Sequence, residues 1–241
     1  MQLSSMTRAV FLVFFLLLTG AAGQAAESAG GCHCFRERAF VPAEPFAADD
    51  YILATSFNSL LAKAFTVSKQ QIVMLRMRGG VTSDDLLIGL KISRTTGVEL
   101  QQLLDDRKQK GSWREVLAAL PVAGKIRGDE VLEKIRAGLP DAEGGRLAAD
   151  ELIAGFFSAP PAEVASLRKS RLNDKEMTLL FLLAHISGKS PEALAAGKKQ
   201  NGRSWSETAF ALGVTPADAG KLILQYPDKT LPKQSPGPGG P

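Results

Sequence analysis

The chain has 241 residues, 45% of them hydrophobic and 22% charged, with a formal net charge of +4. That length can bury a real core, as one domain or two small ones. The positive excess is mild and contains no long basic run, so charge alone does not mark a nucleic-acid-binding protein.

The N-terminus reads as a secretory leader. Arg8 gives a short positive region, Ala9 to Leu18 an unbroken apolar run, and Gly20 to Ala26 a stretch of mostly small residues, which is the layout of a signal peptide. The run is too short to span a bilayer comfortably. The expected leader is residues 1–25, cleaved after Ala25 or Ala26, with Gly23 and Gln24 as alternative positions and a retained N-terminal anchor as the competing reading. Its removal takes away only Arg8 and lowers the charge by one. The expected location is periplasmic or secreted, with no transmembrane helix in the mature chain.

Residues 26–48 form an extension that holds both cysteines. Cys32, His33 and Cys34 follow a Gly-rich approach, and His185 is the only other histidine. In an oxidising compartment nearby thiols pair, here as a tight Cys-x-Cys ring or between two chains. Two thiolates and an imidazole also suit copper(I) or zinc, although three consecutive residues strain to reach one metal and no fourth ligand is near. No other cofactor is implied, since the Cys-x-x-Cys-His pattern of haem attachment is absent. Ala29-Gly30-Gly31-Cys32 loosely resembles a lipidation box, but Cys32 lies well beyond the apolar run that such a cysteine follows closely.

From Asp49 onward the pattern is helical, and no long β-alternating run occurs. Leu53, Phe57, Leu60, Leu61, Ala64 and Phe65 share one face of a first helix. Start signals then recur as a hydroxyl or amide followed three residues later by an acid or amide. Ser68, Thr82, Thr96 and Ser112 fit, as do Asn173 and Ser204, while Ser190-Pro191 and Thr215-Pro216 place proline at the first helical position. Gly79-Gly80, Gly111, Gly188 and Gly202 mark stops. Met177 to Ala184 is apolar nearly all round and reads as a buried core helix.

These signals occur twice. Residues 65–122 align with 157–214 at an offset drifting between 91 and 94. Phe65 meets Phe157, Leu100 meets Leu194, Trp113 meets Trp205 and Glu115 meets Glu207. An ordered series of this length indicates duplication. The expected fold is all-α, a tandem duplication of a small multi-helix module: module 1 at 49–137, a linker at 138–148, module 2 at 149–226, and a disordered Pro/Gly tail at 227–241. Trp113 and Trp205 are expected as structural anchors over the central helix of each module, each with one N–H to satisfy.

Candidate functional residues are few. Arg76, Arg168, Lys169 and Arg171 are candidate contacts for an anionic partner such as a lipid headgroup or glycan, against the plainer reading of solvated faces. His185 aligns with Lys91; because lysine seeks water, this position reads as the exposed edge of a buried helix. A catalytic alternative would join His185 to Ser187 and Asp174. No nucleophile elbow, phosphate loop or zinc-protease motif occurs.

Residues 204–223 resemble a helix-turn-helix, whose second helix would be Pro216 to Gln225. That helix offers Lys221, Gln225 and Asp218 but lacks the Arg/Asn/Gln set that reads base edges, so no nucleic-acid partner is expected. The segment from Gly188 to Gly213, with Gly-Lys-Ser-Pro-Glu and then Gly-x-x-Trp-x-Glu-x-Ala-x-x-Leu-Gly, resembles exported bacterial proteins without an assigned activity, and that resemblance covers about a third of the chain. The function expected is a non-enzymatic helical binding or structural protein of the bacterial envelope, its partner an envelope protein or polymer. The alternative is a periplasmic metal-handling protein that uses Cys32, His33 and Cys34.

Overall fold

The computed structural model describes residues 35, 37–121 and 124–227, the side chains of 78 and 79 excepted, and is helical throughout with no strand among them. The expected leader, the Cys32-His33-Cys34 cluster and the tail beyond residue 227 lie outside these residues. The helices are α1 (Asp49–Phe65), α2 (Lys69–Gly79), α3 (Ser83–Thr96), α4 (Leu100–Lys110), α5 (Trp113–Ala119), α6 (Glu130–Ala137), α7 (Asp141–Phe157), α8 (Pro161–Arg168), α9 (Asp174–Ser187), α10 (Pro191–Gln200), α11 (Trp205–Phe210) and α12 (Pro216–Gln225). None is long and apolar enough to cross a membrane among the described residues.

Local chemistry starts most of these helices. The side chains of Ser68, Thr82, Ser112, Asn173, Ser190, Ser204 and Thr215 accept a backbone N–H of the first turn, and Asn173 with Glu176 closes a full capping box. Thr96 departs from expectation. It is the last residue of α3, and its hydroxyl donates back to the Ile92 carbonyl. The left-handed Gly97 then turns the chain, and α4 starts after Glu99 without a side-chain cap.

The stretch expected as a linker is also different. Only 138–140 connects helices, and Asp141 to Ala148 forms the first turns of α7. Gly144 and Gly145, read locally as breakers, are there because neighbours press on the helix. A Cβ on Gly144 would lie 2.7 Å from Ile135 Cγ1, and one on Gly145 would lie 2.7 Å from Asp84 Cβ. No pair of carbon atoms packs that closely.

The packing interleaves the two parts of the chain. α1 runs along α12 and α9 and also touches α2, α11 and α3, whereas α7 runs along α3 and also touches α6, α8 and α9. Each of these seventeen-residue helices ends in a left-handed residue, Thr66 or Ser158, both at φ 55°. α1 is therefore covered on several sides, which explains why its Thr55, Ser56, Asn58 and Ser59 are buried together with Ile52, Phe57, Leu60 and Leu61. α9 is buried from Met177 to Ala184. The buried residues of all these helices form one continuous hydrophobic cluster.

Candidate functional site

The two tryptophans organise two polar clusters of the same design. Trp113 is fully buried and Trp205 is 3% exposed. Trp113 Nε1 donates to Asp85 Oδ1 at 2.8 Å, in the first turn of α3. Trp205 Nε1 donates to Glu176 Oε1 at 2.9 Å, in the first turn of α9. In each cluster the tryptophan backbone N–H is taken by the first residue of the interleaved long helix, Asp141 for Trp113 and Asp49 for Trp205. A cation from the preceding helix completes each cluster. Arg107 reaches both Asp85 and Asp141 at 3.0 Å, and Lys198 sits 4.6 Å from the Trp205 ring centroid. A buried indole with its N–H satisfied and its helix terminus capped is a packing device. Neither tryptophan lines either of the two cavities described below.

The larger cavity is an open cleft of about 580 Å³ between α2, α3 and α4. Met74, Leu75, Val81 and Leu104 supply its apolar surface, and Gln71, Gln101, Asp105 and Lys108 its polar surface. Asp85 and Arg107 also line it, but they are already engaged with each other and with the Trp113 cluster. Gln101 donates to Asp105 Oδ1 at 3.1 Å, so the rim presents this amide–carboxylate pair beside Gln71 and Lys108, a lining suited to a chain of little net charge with polar and apolar parts.

The basic residues expected as anion contacts do not form one patch. The Arg168 guanidinium is bound by Asp150, Asp174 and the Leu172 carbonyl. Burial pulls its pKa down, but the charges and hydrogen bonds of Asp174 and Asp150 prevail and raise it. This arginine ties α8 to α7 and α9. Arg76 donates to Asn58 Oδ1 at 3.3 Å. Lys169 and Arg171 are exposed, and Arg171 occupies a left-handed backbone position at φ 61°.

His185 is exposed near the C-terminal end of α9, with Nδ1 3.5 Å from Tyr226 Oη. Asp174 lies at the other end of that helix, about 16 Å away along its axis, and is held by Arg168. The Ser187 hydroxyl donates to the Leu183 carbonyl. These three residues do not assemble. Lys91, the residue aligned with His185, does not sit at an exposed edge. Lys91 is 4% exposed and pairs with Asp129 and Glu151 at 2.9 and 2.8 Å, so two distant carboxylates replace the water it would otherwise seek.

Among the described residues no group of three or more His, Cys, Asp or Glu side chains is placed to hold a metal ion; the cysteines lie outside them. In the helix-turn-helix-like pair, α12 lies against α1 through Ala219, Gly220 and Ile223, all buried. Of its candidate reading groups, Lys221 pairs with Asp218 at 3.0 Å.

The sequence did not single out one further group, Lys69 and its surroundings on α1. Its ammonium donates to the Thr55 hydroxyl, beside Ser59, whose buried hydroxyl has no hydrogen-bond partner among the described residues. Burial lowers the Lys69 pKa. No local signal marks a lysine just after a serine cap as special, because its neighbours come from other helices. No protein-family model, curated protein or solved structure matches this chain.

Proposed function

We propose that the chain is an exported, non-enzymatic binding protein of the bacterial envelope, built from two related six-helix units, α1–α6 and α7–α12, that have exchanged their first helices. The leader-like N-terminus supports export. The aligned sequence series and the matching tryptophan clusters support duplication. The cleft between α2, α3 and α4 is the binding surface, and its apolar floor with an amide and mixed-charge rim carries the reading. It suits a segment of an envelope protein or polymer with little net charge. Site-specific photocrosslinking tests this. A benzophenone side chain at Gln101 should give one discrete crosslinked species in envelope extract, and the same probe at exposed Glu192 should not. Identical products from both positions, or none from Gln101, would contradict the assignment.

A second reading rests on the adjacency of Cys32, His33 and Cys34, a metal-handling role with copper or zinc. Elemental analysis of protein purified from the periplasm separates the two. Stoichiometric metal that is lost in Cys34→Ser favours the second reading, and metal-free protein without free thiol ends it.

A further inference from the structure

A second cavity, of about 230 Å³, opens where the start of the described chain crosses α1 and α2. Lys69 and Arg38 line it, and among the described residues no acidic side chain does. Among the described residues no carboxylate pairs with Lys69, and its ammonium donates to the Thr55 hydroxyl. This end of the side chain reaches deep. A Cβ built on Gly220 of α12 would lie 2.9 Å from Lys69 Nζ and 2.8 Å from both Thr55 Oγ1 and Ser59 Oγ. Lys91 shows the contrast, since folding supplied that buried lysine with two carboxylates. A partly buried ammonium without a counter-charge is costly unless an anion joins it.

The rest of the lining describes that anion. Asn58 is 3% exposed, and its carbonyl is taken by Arg76, so what it has left to offer is an NH2 donor. Arg38 sits at the mouth with its guanidinium 5.6 Å from the Tyr51 ring centroid. Phe35 and Tyr51 meet edge to face at 5.3 Å, and with Val73 and Ala54 they give the cavity an apolar, partly aromatic wall. The volume lies below the range typical of drug-sized ligands. We infer that this cavity binds a small monocarboxylate, with the carboxylate between Lys69, Asn58 and Arg38 and a compact apolar or aromatic group against Phe35, Tyr51 and Val73. The site is separate from the α2–α4 cleft and does not depend on that reading.

Calorimetric titration of the full-length protein tests it with three probes: phenylacetate, its uncharged analogue phenylacetamide, and inorganic phosphate. Phenylacetate should bind one to one and more tightly than phosphate, and phenylacetamide should not bind. Lys69→Met should weaken phenylacetate binding about tenfold or more, because a desolvated charge contact is lost. Arg38→Gln, at the exposed mouth, should weaken it less. A thermal melt of Lys69→Met keeps the result interpretable, since removing an unpaired charge should leave stability unchanged or raised. Absence of phenylacetate binding, equal binding of acid and amide, tighter binding of phosphate, or undiminished binding by a folded Lys69→Met protein would each overturn the inference.

Discussion

Two glycines on one helix should respond in opposite directions to the same substitution. Gly145 and Gly155 both lie inside α7, and replacing either with alanine gains helix propensity of roughly 1 kcal/mol. At Gly155 none of the described residues lies within 4 Å of the added Cβ, so the gain should appear in full. At Gly145 the new atom would lie 2.7 Å from Asp84 Cβ and 2.8 Å from its Cγ. Those atoms sit close to the α3 backbone and cannot swing aside like the end of a long side chain. Relief requires α3 and α7 to part by about 1 Å to reach ordinary carbon contact, an overpacking cost of roughly 1–3 kcal/mol. The net expectation is up to about 2 kcal/mol of destabilisation for Gly145→Ala, against about 1 kcal/mol of stabilisation for Gly155→Ala. For a domain of this size 1 kcal/mol moves Tm by roughly 2–4 °C, so the two melts should separate by several degrees on either side of the wild type. Equal upward shifts would show that α7 does not press on α3 at Gly145.

The other predictions concern named side chains. Trp205→Ala should cost roughly 3–5 kcal/mol through lost packing, and Ser204→Ala about 1 kcal/mol through the lost cap; equal, small shifts in thermal melts would mean that the indole is not a core anchor. Asp129→Ala should cost more than Glu151→Ala in chemical denaturation, because Asp129 both caps α6 and faces buried Lys91 at lower exposure; the reverse order would remove Asp129 as the main counter-charge. Lys69 titrates below the ordinary lysine value of 10.5 when folded, so between the two values the unfolded chain binds more protons and stability rises with pH. Any stability advantage of Lys69→Met should therefore narrow as pH climbs toward 10.5; an advantage that widened would contradict the lowered Lys69 pKa.

Features written in short-range chemistry were legible in the sequence. The caps at Ser68, Thr82, Asn173 and Ser204 depend on a hydroxyl or amide and an N–H three residues away, and the burial of Met177 to Ala184 follows from an apolar run. Features that depend on distant partners were not. Gly144 and Gly145 look like breakers until Ile135 and Asp84 are placed beside them. Thr96 has the residue type and spacing of a cap, but its hydroxyl serves the carbonyl one turn back. Lys91 reads as solvent-seeking because Asp129 and Glu151 are remote in sequence. Lys69, Arg38 and Tyr51 form a cavity only after α1 and α2 pack together, so nothing local pointed to them. The packing of α1 along α9 and α12, and of α7 along α3, is the largest such effect, since these partners are remote in sequence.

That interleaved packing is tested most directly by cutting the chain at two different places. Residues 81–158 hold α3 to α7, the helices that pack around the Trp113 cluster, whereas residues 49–137 hold α1 to α6 and lack α7. The two fragments should be expressed separately and melted with circular dichroism. The interleaved arrangement predicts a cooperative transition for 81–158 and none for 49–137, whose Trp113 N–H and α3 face lose Asp141 and the rest of α7. A cooperative melt for 49–137 with none for 81–158 would contradict it.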